Sequence, residues 1–202
     1  FYLDELEEME EERRLFYVAS SRAKDQLTIT YHTDFHPEKM IVPSPLIKEL
    51  DSINEINRIR ISSIEPNLLT DEIIEFCNLS KKLMPHFHIP LQSGSDKILK
   101  AMRRRYDKKV YQNRIKKIKD TNKDTCIGVD VIVGFPGEDD DKFLESMNFI
   151  DTLDVSYLHV FTYSERDNTH AITLPGFVNT NTRSKRSKLM RLLSGRKKSD
   201  FY

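Results

Sequence analysis

The sequence predicts an α/β protein built on a parallel sheet. Three observations carry this. From residue 58 onward, short β-branched runs alternate with longer helical runs, four times, at a spacing of about 30 residues, which is the texture of right-handed β-α units. The run CIGVDVIVGF (126–135) is continuously apolar, as parallel strands covered by helices are. QSGS (92–95) and PGEDD (136–140) follow two of the expected strands and turn the chain into helices.

The elements follow in chain order. Residues 3–16 predict a helix, with Leu3, Leu6 and Met9 on one side and charged residues elsewhere. LTITYH (27–32) is short and β-branched and predicts a strand. The stretch 34–45 carries Pro37, Pro43 and Pro45 and marks a domain boundary. It divides a small helix–strand appendage, 1–45, from an α/β unit, 46–202. RIRISSI (58–64) predicts a strand stopped at Pro66. TDEIIEFCNLSKKL (70–83) predicts a helix with Thr70 as N-cap. HFHIPL (86–91) predicts a strand, 96–105 and 107–120 two helices, and 126–135 the buried strand. Helix 141–153, strand 155–163 and a last basic helix over 182–199 complete the pattern.

Composition narrows the function classes. Hydrophobic residues make up 38% of the 202 and charged residues 32%, an ordinary balance for a water-soluble chain. No apolar run approaches the roughly 18 residues that span a bilayer. The acidic opening FYLDELEEMEEE lacks the apolar core of a secretory signal, and a cytoplasmic location is expected. Lys+Arg and Asp+Glu are equal at 32, so net charge points to no partner. The distribution is uneven: residues 4–12 are acidic, and 183–198 are basic enough for a nucleic-acid-facing or simply solvated helix. Cys77 and Cys126 are too few for a disulfide framework, a zinc site or an iron–sulfur cluster, and both are expected in the core. No metal site is expected. His86 and His88 share a strand face without making a convincing metal pair, and His159 is expected to face the core.

Polar residues gather at the carboxyl ends of the expected strands: Glu65 after 58–64, Gln92 after 86–91 and Ser164 after 155–163, with Asp130 inside 126–135. Ligand sites in parallel α/β folds collect at that edge. Carboxylates and amides there suit ribose hydroxyls and an ammonium group. Caps and turns use the same residue types, so the pattern alone leaves both readings open. GFPGE (134–138) brings backbone close to whatever occupies that edge.

Two stretches carry family resemblances. EEERRLFYVASSRAKDQL (10–27), followed by the strand 27–32 and Pro43-Ser44, resembles motif VI of the UvrD/Rep-type DNA helicases. The resemblance implies a nucleotide-sensing role for Arg22, with Ser21 standing where that family carries Thr. No G-x-x-x-x-G-K-[ST] phosphate loop occurs, so no ATPase activity is expected of this chain. RIRISSIEPNLLTDEII, PHFHIPLQSGSDKILKAMRRRY, IGVDVIVGFPGE and SYLHVFTYSER, in that order, resemble the radical SAM tRNA methylthiotransferases. Within them the likeness is greatest to the subgroup that acts on N6-threonylcarbamoyladenosine in tRNA. This resemblance runs over 46–202.

The second resemblance implies an incomplete (β/α) radical SAM-type partial barrel. It implies S-adenosylmethionine contacts at Glu65, Gln92, Arg104 and Asp130, with IVGFPGE on the adenine side. It places Tyr163, Ser164, Glu165 and Arg166 toward the substrate, with Asp167-Asn168 where the family carries Pro-Gly. It implies tRNA as partner, non-specific nucleic-acid contacts along the basic helix, and [4Fe–4S] clusters. The C-x-x-x-C-x-x-C loop that holds such a cluster does not occur here. The expectation is therefore a methylthiotransferase fragment, inactive alone. A nucleic-acid-binding helicase fragment and a non-functional fusion product are the alternatives. Half a barrel leaves sheet surface uncovered, so marginal stability and association are expected.

Overall fold

The computed structural model describes residues 51–202. The helix expected over 3–16, the strand over 27–32 and Arg22 lie outside them. The described residues form an α/β unit in the order α1 (Asp71–Leu79), β1 (His86–His88), α2 (Asp96–Ala101), α3 (Lys108–Thr121), β2 (Cys126–Val133), α4 (Asp140–Thr152), β3 (Tyr157–Thr162), a 3₁₀ turn (His170–Thr173) and α5 (Thr180–Phe201). The sheet is three-stranded, parallel, in the order β1-β2-β3.

Local chemistry sets most helix starts. Thr70, as expected, caps α1, its Oγ1 accepting from the Ile73 N–H at 3.4 Å. Asp107, Asp139 and Asn179 accept from the N–H three residues on, at 2.8–2.9 Å, and start α3, α4 and α5. α1 stops at Leu79, short of the expected 83, because the Ser80 hydroxyl accepts from the Lys82 and Leu83 N–H groups and turns the chain.

Two expected elements are changed by residues in the left-handed region. The strand expected over 58–64 is reduced to a single parallel bridge, Ile59 to Leu83, plus a bond from the Ile64 N–H to the His88 carbonyl (2.9 Å). Ser63 between them has φ 43°, which breaks the ladder. The sheet therefore has three strands where four β-α units were expected. The helix expected over 96–105 ends at Ala101. Arg103 takes φ 56°, its N–H bonds the Lys100 carbonyl (3.0 Å), and the Arg104 N–H bonds the Leu99 carbonyl (2.9 Å). This is a Schellman ending with arginine where glycine is usual. Arg103→Gly should stabilise the protein by about 0.5–1 kcal/mol in urea unfolding, because the position already has the conformation that glycine adopts without strain. At the Asp167-Asn168 turn, Asn168 takes φ 64°, a conformation asparagine tolerates better than most residues.

Pro90 interrupts β1 after His88, yet pairing resumes. Leu91 and Gln92 donate to the Asp130 carbonyl (3.2 and 2.8 Å), and the Ile132 N–H donates to the Gln92 carbonyl (2.9 Å). Carbonyls in this stretch are served by buried phenols. Tyr111 Oη donates to Ile89 O (2.8 Å), and Tyr106 Oη donates to Pro90 O (2.9 Å). Burial holds both phenols protonated by raising their pKa values.

β2 is not buried on both faces. Ile127, Val129, Val131 and Val133 are fully buried, while Cys126, Asp130 and Ile132 are part-exposed. The covered face packs with Phe87, Ile115, Ile118, Phe143, Ile150, Met190 and Leu193 in one core. α5 lies along β3 and β2. Its Ser194 hydroxyl accepts from the Leu158 N–H (2.8 Å) and donates to the Leu158 carbonyl (3.0 Å), occupying backbone groups on the outer strand. Among the described residues, no helix is long and apolar enough to cross a membrane.

Candidate functional site

The period-two alternation of a strand puts His86 and His88 of β1, Asp130 and Ile132 of β2, and Tyr157, His159 and Phe161 of β3 on the open face. The register sets His88 beside Gly128, Gly128 beside Tyr157, and Asp130 beside His159. Gly128 belongs to this design. A Cβ there would lie 2.5 Å from Tyr157 Cζ, so its lack of a side chain is what admits the phenol.

The centre of this face is polar. His88 Nε2 donates to Asp130 Oδ1 at 2.7 Å, and His159 Nδ1 lies 3.3 Å from the same oxygen. The two imidazoles meet edge to face, 5.1 Å between centroids. His159 was expected in the core. It is instead 49% exposed, because β3 turns its odd-numbered residues to the open side. The grouping of His88, Asp130 and His159 was missed from sequence, since three separate strands supply it. Their ligand atoms lie within 4.8 Å of one another. Cys126, expected in the core, is likewise only part-buried on this face, while Cys77 is buried.

Toward the first residue of β1 the face is cationic. The Arg60 guanidinium lies against the His86 ring, Nη2 2.7 Å from Nε2, and the Tyr157 hydroxyl sits 2.9 Å from the same nitrogen. Burial, then the Arg60 and His88 charges, push His86 down to about 4. His86 is therefore neutral in the folded protein, whereas an unfolded chain protonates near 6.5. Stability should fall as pH drops from about 6.5 toward 4, by roughly 1–2 kcal/mol after allowance for its half-exposure. His86→Gln should flatten that part of a chemical-denaturation profile. A wild-type profile that is already flat there rules the assignment out.

At the carboxyl edge, Arg104 Nη1 donates to Glu65 Oε1 at 3.1 Å. Arg104 Nε is buried without a partner. Gln92 is buried in the left-handed region, φ 70°, bonded through its backbone to Asp130 and Ile132. Ser63, Gln92 and Arg103 are three of the four non-glycine residues with positive φ among the described residues. One is two residues before Glu65, one is Gln92 itself, and one immediately precedes Arg104. Such strain persists where surrounding structure enforces it, often at binding sites.

The substrate-side group expected at 163–166 is drawn toward α5. Glu165 pairs with Arg183 at 2.5 Å, which holds its carboxyl below the usual range. The Arg183 guanidinium lies 5.3 Å from the Tyr163 ring centre and bonds the Tyr163 carbonyl (3.0 Å). Ser164 and Arg166 are exposed. In the GFPGE turn, Glu138 is buried, accepts from the Gly134 N–H (2.8 Å) and pairs with Arg186 (2.8 Å), so it holds the turn in place. Arg183 and Arg186 of the basic helix are thus internal. Lys185, Lys188, Arg191 and Lys198 are exposed. A cavity of about 250 Å³ lies elsewhere, lined by Cys77, Lys81, Pro85 and Thr121 near the start of β1, away from the carboxyl edge.

Comparison with known proteins adds a lineage to this geometry. The radical SAM superfamily family model matches residues 1–150. Threonylcarbamoyladenosine tRNA methylthiotransferase MtaB of Bacillus subtilis (strain 168) is 44% identical over 142 residues, covering 70% of this chain and 32% of the relative. The tRNA-2-methylthio-N(6)-dimethylallyladenosine synthase of Endomicrobium trichonymphae is 42% identical over 126 residues, covering 62% of this chain and 30% of the relative. The chain thus spans about a third of the length of these relatives. Among solved structures, the radical SAM enzyme coproporphyrinogen III oxidase (HemN) from Escherichia coli shares the fold at TM-score 0.58 and 12% identity, over 69% of this chain and 32% of that one. Sequence match and shared fold agree: the chain belongs to the radical SAM superfamily.

Proposed function

We propose that this chain supplies the adenosyl-binding half of a radical SAM tRNA methylthiotransferase acting on N6-threonylcarbamoyladenosine in tRNA. The supporting observation is the polar edge of the open sheet face, where the Glu65–Arg104 pair, Gln92 and Asp130 present carboxylate, guanidinium and amide groups. That donor set fits S-adenosylmethionine. Asp130 and Gln92 suit ribose hydroxyls, Glu65 an ammonium, and Arg104, with its unpartnered Nε, a carboxylate. When bound, S-adenosylmethionine supplies the adenosyl and methyl groups. Glu65, Gln92, Arg104 and Asp130 would hold and orient it, with the 134–138 turn on its adenine side.

An iron–sulfur cluster does not fit the residues present. Such clusters take three or four thiolates close together, and this chain has two cysteines. Cys77 is buried, its thiol pushed up to about 12 by that burial, while Cys126 opens β2. The pair provides no cluster site.

The tRNA partner rests on the names of the relatives. The exposed Lys185, Lys188, Arg191 and Lys198 of α5 support a non-specific phosphate contact. For residues 1–45, the helicase-like reading with Arg22 as nucleotide sensor stands on the sequence motif alone. Titration calorimetry of the chain with S-adenosylhomocysteine tests the main reading. Binding is expected, weakened about tenfold in Arg104→Ala, which loses a charged contact. No heat at millimolar ligand, or equal affinity in Arg104→Ala, sinks it.

A further inference from the structure

Asp130 is held in an unusual way for a carboxylate on a sheet. Both imidazoles approach one oxygen, Oδ1: His88 Nε2 at 2.7 Å and His159 Nδ1 at 3.3 Å. Among the described residues, nothing bonds Oδ2. A carboxylate oxygen accepts, so the His88 ring is the donor of this contact. The three residues come from three adjacent strands on one face. Asp130 and His88 have side chains only 18% and 19% exposed, and His159 opens toward solvent. What the arrangement does is fix the carboxylate plane and leave one oxygen for something else.

We propose that His88 and His159 are positioning residues for Asp130. They clamp Oδ1 so that Oδ2 meets a ribose hydroxyl of the adenosyl ligand, next to Gln92. This deepens the adenosyl-binding reading above and rests on it. The clamp is preorganisation: a carboxylate already held in its bound orientation loses less freedom when the ligand arrives. His88 does most of the holding, since its bond is shorter and more buried. His159 contributes less and keeps Nε2 toward the open face. The other charged or titratable groups around the clamp are His86, Arg60 and Tyr157 below it, and Glu65, Arg104 and Tyr106 toward the edge.

The test compares adenosine with 2′,3′-dideoxyadenosine, which lacks the two hydroxyls, by ligand-observed NMR titration of the full chain. Wild type should prefer adenosine by about tenfold, the worth of one charge-assisted hydrogen bond. Asp130→Ala should abolish the preference. His88→Ala should remove most of it while leaving dideoxyadenosine affinity unchanged, and should add nothing in an Asp130→Ala background. His88→Gln, which keeps a donor, should restore part of it. His159→Ala should give a smaller loss. If wild type shows no preference and Asp130→Ala changes nothing, the adenosyl-binding reading itself fails. If Asp130→Ala abolishes the preference but His88→Ala keeps it, or weakens both nucleosides equally, the clamp is overturned. Stoichiometric Zn²⁺ binding lost in both His159→Ala and Asp130→Ala would also overturn it, since the trio would then be a metal site.

Discussion

Replacing Arg186 by methionine is expected to lower the stability at pH 7 by about 3–5 kcal/mol, because it leaves a buried carboxylate without its counter-charge. Arg186 donates through Nη1 to both the carboxylate and the carbonyl of Glu138 (2.8 Å each), and through Nη2 to Asp140 (2.7 Å). Its guanidinium also lies over the Phe143 ring, 5.2 Å from the centre. Glu138 has a side chain only 2% exposed, whereas Asp140 is 88% exposed, so the Glu138 contact carries the effect. Burial already raises the Glu138 pKa against the opposing pull of the Gly134 N–H and Arg186. Without Arg186 it rises further. A raised carboxyl pKa means the folded state takes up a proton more readily than the unfolded one. The deficit of Arg186→Met should therefore shrink as pH falls from 7 toward 5. Adding Glu138→Gln should recover part of the loss at pH 7. Urea unfolding at several pH values checks this, and a deficit that is constant with pH refutes it.

The second large effect is expected at Gly94. An added Cβ would lie 2.7 Å from the Ser146 carbonyl oxygen and 2.8 Å from Ser146 Cα. These are backbone atoms of α4 and cannot rotate away. Gly94→Ala should cost about 3 kcal/mol, as overpacking against a rigid partner does. It should also break the bond from the Gly94 N–H to Ser146 Oγ (2.7 Å). Because Gln92 is two residues away and its backbone pairs with Asp130 and Ile132, this variant should weaken S-adenosylhomocysteine binding as well. Ser146→Ala keeps the close approach and loses only the bond, so a loss nearer 1 kcal/mol is expected. Equal losses in the two variants would show that packing is not the cause.

Helix positions were legible because caps and periodicity are local. Thr70 was legible as a cap, whereas Asp107, Asp139 and Asn179, which cap α3, α4 and α5, were not read as caps, and those helices were recognised from their periodicity. The strand at 58–64 was not legible, because what interrupts it is the left-handed Ser63, and serine gives no warning of that. The same holds for Arg103, an arginine where glycine signals a helix end. Glu65 and Gln92 drew notice from their places after expected strands and Arg104 from family likeness, and the structure pairs Arg104 with Glu65. The His88–Asp130–His159 group could not be picked out, since it depends on the register of three strands separated by long helical crossovers. Apolar β2 suggested burial on both faces, while its glycine and aspartate at alternate positions were the clue to an open one.

That two-faced strand has a consequence for how the chain finds its register. A slip of β2 by one residue would carry Asp130 into the core and bring Val129 and Val131 out to water. Each error is unfavourable, and they occur together. The side chains that give the open face its chemistry thus also proofread the assembly of the sheet. Making that face uniformly apolar would erase the mark by which the strand tells its two sides apart.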